Sequence, residues 1–329
     1  YGNIRGDATP FAHAIHAGRS DAPDAGEQLM ALAVDPEQPA IARATALDLL
    51  HEHAQPNHRL SLPRLLGDPD PLVRGAAVRY LEAMDADVLY RFGMPTLEDP
   101  VRTVRLDAAR VLAPLLRYEL PPEEHRRLAA GLDAYRAAQL ATAERPEAHL
   151  NIALVEALQG DAAAARLSYR TALRLDPAFV PAYVNLADLY RALGDDGAGE
   201  TVLREGIAVA PENADLRHAL GLLYVRTDRI DDAVAELGRA AQLAPGNSRY
   251  AYVQALAIRE SGDLDRALSV LEAAYRLHPN DRQLLVALAT LNRDAGRREA
   301  ALAFAQALAR RYPDDSEVTA LVRQLYDEQ

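Results

Sequence analysis

The sequence predicts an all-α fold, a right-handed α-solenoid of stacked helix pairs. Three observations carry this expectation. Pro177, Pro211, Pro245, Pro279 and Pro313 stand 34 residues apart, and Gly160, Gly194, Asp228, Gly262 and Gly296 recur between them at the same spacing. A fixed period of that length marks a stacked helix–turn–helix array. Earlier in the chain, Arg43, Arg74 and Arg105 repeat every 31 residues. Composition agrees: 49% of residues are hydrophobic, yet only 5% are aromatic and Trp is absent. The apolar content is therefore mostly Ala and Leu, which suits many small helix contacts better than one deep core.

The same composition excludes several classes of function. The net charge of −12 is spread over both halves of the 329 residues, with no basic face. DNA or RNA binding is not expected, because neutralising phosphates dominates such affinity. Every basic residue is Arg and none is Lys. The absence of Cys removes disulfides, Cys-ligated zinc and thiol catalysis, and is compatible with an oxidising compartment. No apolar run approaches the ~18 residues of a membrane span, so membrane insertion is not expected. The chain opens on Tyr1 without a signal peptide and reads as processed or trimmed.

Residues 1–25 read as an irregular segment with one short helix, started by Pro10 and facing Phe11, Ala14 and Ile15 inward. Residues 26–116 carry the 31-residue repeat. Each of Arg43, Arg74 and Arg105 is followed at +3 by Ala46, Ala77 or Ala108 and at +7 by Leu50, Leu81 or Leu112. Each is also preceded near a turn by Asp35, Asp68 or Asp99. Ala at +3 lets a second helix lie close, and Leu at +7 extends the same face. The stretches LLGDPDPLVRGAAVRYLEAM and TLEDPVRTVRLDAARVLAPL resemble HEAT-type repeats. The resemblance implies that the Asp and Arg of neighbouring units form an internal ladder.

Residues 117–145 read as a bridge. Pro121 and Pro122 break the pattern, Glu123 and Glu124 suit a helix N-terminus, and the helix runs to about Glu144, before Pro146. Leu128, Leu132, Tyr135, Ala138 and Leu140 form a face expected to pack on the first tandem repeat.

From 146 to 329 lie five repeats and a closing helix at about 316–327. Small residues recur on the first helices at Ala153, Ala187, Gly221, Ala255 and Ala289, and on the second helices at Ala165, Gly199, Ala233, Ala267 and Ala301. They let the two helices of a repeat approach, and larger side chains would overpack by roughly 1–3 kcal/mol. Leu186, Leu220, Leu288, Tyr190 and Tyr224 fill the space around them. Gly194, Gly197, Gly199 and Gly206 crowd the second helix of one repeat, which is expected to be the softest part of the array. The pattern resembles the tetratricopeptide repeat (TPR) family. It departs from it at Glu156 and Asn292, where the family favours Tyr, and at the usual Trp position, occupied by His149, Tyr183, Arg217, Ala251 and Leu285.

The resemblance implies a concave face lined by first helices and binding an extended peptide or partner helix. Carried over residue by residue, that face comprises Asn151, Asn185, Asp188, Arg191, His218, Arg226, Tyr252, Arg259, Thr290 and Arg293. Its four arginines suit carboxylates of an acidic partner, since a guanidinium grips them bidentately. The bland reading is a solvated row paired with intramolecular acids. Lysines, which the family's carboxylate clamp uses, are absent.

No enzyme chemistry emerges. His13 and His16 could share one helix face toward a metal, but neither H-E-x-x-H nor CxxCH is present, and structural or exposed histidine is preferred. G-x-G-x-x-G, the P-loop and G-x-S-x-G are missing, and the Asp-rich turns GDPDP and DRIDD read as helix N-caps rather than calcium loops. No catalytic residue is assigned.

End to end, YGNIRGDATPFAHAIHAGR, QPAIARATALDLL, AYRAAQLATAERPEAHLNIAL and FVPAYVNLADLYRALGD resemble the C-terminal half of TPR-containing multihaem c-type cytochromes of bacteria. That implies a periplasmic location, with haem c in a region upstream of this cofactor-free segment and His13 or His16 as a distal ligand. A relative that never bound haem is the other option. The leading expectation is a non-catalytic interaction scaffold for a protein or peptide. The alternatives are the haem-free docking half of an electron-transfer cytochrome, or a regulatory arm on an enzyme; a cytoplasmic location is the alternative to the periplasm.

Overall fold

Ala- and Leu-rich stretches separated by Asp, Gly and Pro turns fold into helices along the whole chain. The computed structural model describes residues 10–20, 22, 24–312 and 316–327, and no strand occurs among them. The segment before Pro10 and the last of the five periodic prolines, Pro313, lie outside the described residues. The chain folds as two compact units, unit 1 over residues 1–165 and unit 2 over residues 166–329.

Unit 1 holds α1 (Pro10–Arg19), α2 (Ala25–Val34), α3 (Ala40–Leu49), α4 (Leu62–Leu66), α5 (Pro71–Tyr80), α6 (Ala86–Val88), α7 (Arg102–Leu112), α8 (Pro122–Leu140) and α9 (Pro146–Leu158). Short 3-10 turns join several of them, and a single π-helical turn spans Leu89–Gly93. Helix α3 packs on α2 and α5, α5 on α7, and α7 on α8. The periodic residues meet in one core, where Ala46, Ala77, Ala108, Leu50, Leu81 and Leu112 are fully buried. Ala14 is buried in the same core, and Phe11 and Ile15 pack half-buried against it.

The expected Asp–Arg ladder forms between neighbouring units, Arg43 and Arg74 each reaching forward to the aspartate of the next. Arg43 pairs with Asp68 of the following repeat, both side chains being only 6% exposed, and its Nε donates to the Ala33 carbonyl at 3.0 Å. Arg74 grips Asp99 with Nε at 2.7 Å and Nη2 at 3.0 Å. Asp35 has no preceding arginine to receive and instead accepts from Gln38 and the Glu37 amide. Arg105 has no following aspartate and donates to the Asp99 and Pro100 carbonyls. A second row runs outside the first, where Arg79 joins Asp48 on α3 to Asp107 on α7 at 2.9 and 3.1 Å.

Helix α8 ends at Leu140, one turn before the expected Glu144. Leu128, Leu132 and Tyr135 are buried, but Ala138 is half-buried and Leu140 is 53% exposed. This face packs chiefly back onto α7, not only forward onto the first tandem repeat as expected, and Leu128 and Leu132 join the unit 1 core. The physical reason is Gly131, whose missing side chain lets α8 close on Ala109 of α7 and on Leu97.

Helix α10 (Ala162–Leu175) crosses the boundary between the units. Unit 2 continues with α11 (Val180–Ala192), α12 (Asp196–Val209), α13 (Ala214–Arg226), α14 (Ile230–Leu243), α15 (Ser248–Glu260), α16 (Leu264–Leu277), α17 (Arg282–Asp294), α18 (Arg298–Arg311) and α19 (Ser316–Asp327). From α11 to α19 every helix packs on the next, as a solenoid requires. All ten small residues of the repeat pattern are buried. At Gly221 an added Cβ would come within 2.6 Å of Leu237, and at Gly206 within 2.9 Å of Tyr183 and 3.0 Å of Leu216. Gly206, which weakens its own helix, is thus what lets α11 and α13 close over α12. Asn292, at a position where Tyr was expected, is buried and donates from Nδ2 to the Leu288 carbonyl at 2.8 Å.

The turns share one backbone device. Gly160, Gly194, Gly262 and Gly296 have φ between 71° and 89°, and Asp228 adopts 59° at the same place in the repeat. This left-handed residue ends each first helix and is open to glycine without a Cβ penalty. Asp161, Asp195 and Asp263, which follow, accept from amides three residues on. Arg229 and Arg297 take that place in two repeats and reach back to the preceding one, to Glu200 and Asp265. Of the two turns expected to cap helices, Asp70 of GDPDP caps α5, but Asp231 and Asp232 of DRIDD lie inside the first turn of α14 and do not cap it.

Two stability effects follow. Asp68→Ala leaves Arg43 buried and unpaired, and should lower the unfolding free energy by about 3 kcal/mol in urea titration of the full chain. Gly262→Ala should cost about 1 kcal/mol through its left-handed φ, whereas Gly246→Ala, with open space and no positive φ, should change nothing in the same titration.

Candidate functional site

In unit 2 the first helices of neighbouring pairs meet directly, α11 with α13 and α15 with α17. They share one face because the small residues at each crossing hold the second helices behind them. Between α11 and α13 this face opens into a cleft of about 220 Å³. Val184, Ala187, Asp188 and Arg191 line it from α11, Asp215, His218, Leu222 and Arg226 from α13, and Leu203 closes its floor from α12.

Four of the ten residues expected on the binding face, Asp188, Arg191, His218 and Arg226, therefore converge in one cleft. The others do not. Asn151 lies in unit 1, where its Nδ2 donates to Gln139 at 3.0 Å. Asn185 donates back to the Pro181 carbonyl of its own helix at 2.8 Å. Tyr252 and Thr290 are half-buried on α15 and α17.

The arginine row is mostly engaged. Arg191 pairs with Asp188 at 3.0 Å, Arg226 with Asp196 on α12, and Arg293 with Asp294 at 2.9 Å. Arg259 alone of the four is exposed with no ion pair among the described residues. The Asp188–Arg191 pair is more than half exposed on both sides, so water screens it and a ligand carboxylate could displace Asp188 at little cost.

His218 is the unusual member. Its Nδ1 is buried without a hydrogen-bond partner, and its ring leans on Tyr250 of α15 with centroids 4.8 Å apart. Burial, helped by the Arg249 charge, lowers its pKa below the ordinary histidine value. The Tyr250 hydroxyl donates to Asp215; burial and that bond push the phenol up to about 12.

Three tetratricopeptide repeat models match the chain, at residues 123–178, at 180–213, and at 197–257 and 259–325. Together these spans cover more than half of the 329 residues. The chain belongs to the tetratricopeptide repeat family. The first tetratricopeptide match begins at Glu123, inside the segment expected to be a bridge, and takes in α8. Among solved structures, yeast Tom70 aligns with 99% of this chain and 65% of its own, at 13% identity and a TM-score of 0.56. This likeness concerns the fold alone. MamA aligns with 52% of this chain and 94% of its own, at 19% identity and a TM-score of 0.44. YrrB, described as a TPR protein with an unusual peptide-binding site, aligns with 59% of this chain and 99% of its own, at 21% identity and a TM-score of 0.43. No curated protein sequence matches.

The histidines of the N-terminal region have separate fates. His13 and His16 are exposed on α1, and no group of three metal-ligating side chains occurs among the described residues. His58 is buried with its Nδ1 2.6 Å from the Tyr80 hydroxyl, and His53 contacts the Gly18 carbonyl at 3.1 Å. Burial lowers the His58 pKa and raises that of Tyr80 to about 12.

Residue-by-residue reading missed Val184, Asp215 and Leu222, and also an apolar cleft in unit 1 that contains Asn151. Leu222, 41% exposed, carries no polar signal that could have marked it.

A pH dependence follows from buried His58 and half-buried His218, whose pKa values desolvation lowers. The folded chain binds their protons less readily than the unfolded chain, so stability should fall as pH drops below about 6.5 and level off beneath the lowered folded values. Urea midpoints measured from pH 7.5 to 5 should show this slope in the wild type and a flatter one in His58→Gln/His218→Phe.

Proposed function

We propose that this protein is a non-catalytic interaction scaffold, and that unit 2 holds an extended segment of a partner polypeptide in the α11–α13 cleft. The observation that carries the reading is the convergence of Asp188, Arg191, His218 and Arg226 around exposed Leu222. A cleft with an apolar floor and a few polar groups at its rim suits a side chain with its flanking backbone. The partner is acidic in this reading. Arg191 can exchange its exposed intramolecular carboxylate for one on the ligand, and Arg259 on α15 is available to the chain beyond. The ladder of Arg43, Arg74, Asp68 and Asp99 supports a HEAT-like character for residues 26–116.

The test is site-specific photocrosslinking in the source cells. A photoreactive phenylalanine at Leu222 should capture a polypeptide that the same group at Leu167 on α10, 64% exposed, does not. Arg191→Glu/Arg226→Glu should reduce that adduct at least tenfold. Identical adducts from both positions, or an adduct indifferent to the charge reversal, would remove the cleft from the function.

A further inference from the structure

Unit 1 contains a second concavity, which the interaction reading does not use. It has a volume of about 510 Å³, within the range of sites that enclose small organic molecules. Its walls are apolar, built by Met84, Leu89, Leu115 and Leu154 from separate helices and turns. Nothing in the repeat pattern requires this space; the periodic Ala and Leu residues of unit 1 are fully buried elsewhere in the core.

Two features say what would occupy it. Tyr135 on α8 lines the cleft while being only 6% exposed, and its hydroxyl forms no hydrogen bond among the described residues. The hydroxyl itself is not closed off from the cleft, and with no protein acceptor it is free to donate to a bound molecule. The charges at the cleft cancel, since Glu82 and Arg110 are paired with each other. Burial raises the Tyr135 pKa, so at neutral pH the hydroxyl is a proton donor.

We propose that this cleft binds a small, uncharged, largely apolar organic molecule that presents one hydrogen-bond acceptor, such as a ring carbonyl, to the Tyr135 hydroxyl. An ionised ligand would find no unpaired charge there, and a wholly hydrocarbon ligand would leave the phenol unsatisfied. Leu154, 38% exposed, and Tyr118, 58% exposed, stand at the cleft as the apolar surface such a molecule would cover.

The probe is Nile red, a neutral dye with a ring carbonyl, titrated into the full chain and followed by fluorescence. Saturable one-site binding with blue-shifted emission is expected. Tyr135→Phe, which removes only the hydroxyl, should weaken it by about three- to tenfold with the circular dichroism spectrum unchanged. Leu154→Arg, which puts a charge into the cleft from a partly exposed position, should abolish it. Leu222→Arg, in the cleft of unit 2, should leave it intact and so separates this site from the peptide reading. Non-saturable binding, an unchanged Kd in Tyr135→Phe, or survival of binding in Leu154→Arg would overturn the proposal. So would tighter binding of the anionic dye 1-anilinonaphthalene-8-sulfonate at the same site.

Discussion

Close approach of helices at an alanine or glycine is the constraint on which the architecture of unit 2 rests. No helix pair has enough apolar surface to stand alone, so each must bury its face against its neighbour. The distance at which this happens is set by the side chain at the crossing. Where Gly221 meets Leu237 and Gly206 meets Tyr183 and Leu216, there is no room for a methyl group. Helix propensity is given up at these points and regained in contact area. The same close approach brings α11 and α13 together on one face, so the packing rule and the cleft between them have one cause.

Arginine supplies the second layer of cohesion. In unit 1 the guanidinium groups of Arg43 and Arg74 each reach forward to the aspartate of the next repeat, and Arg79 spans three helices. In unit 2, Arg226, Arg229 and Arg297 reach back to acids of the preceding repeat. A planar group with five donors can satisfy a carboxylate and a backbone carbonyl together, as Arg43 and Arg74 do. Lysine, a point charge on a flexible stem, could not hold both directions. An acidic chain of this length therefore uses much of its positive charge internally.

The two concavities differ in kind. The cleft of unit 2 is small, rimmed by charge and lined mostly by side chains of the repeating first helices. The cleft of unit 1 arises where the repeat is irregular, around the π-helical turn at Leu89–Gly93 and the turns after α5 and α7. It is larger, apolar and nearly neutral. Regular packing leaves a small cleft between successive first helices, and its interruption leaves a larger one.

The period of 34, the small residues at the crossings and the turn position shared by Gly160 and Asp228 were legible in the sequence, because local geometry forces each residue type at its place. The Asp–Arg ladder was legible through the resemblance of its repeats, but which aspartate each arginine takes was not. Asp35 and Asp68 look alike along the chain, and only the stacking direction puts Asp68 against Arg43. The arginine row was legible as positions but not as free charge, since Asp188, Asp196 and Asp294 engage three of its four members only once the helices are placed. The unit 1 cleft left no trace at all: Tyr135 reads as one more apolar face residue of a helix, and Leu154 as one more leucine. Periodicity is a property of the chain and can be read from it. An unfilled volume is a property of surfaces that do not quite meet, and only the tertiary structure decides where those lie.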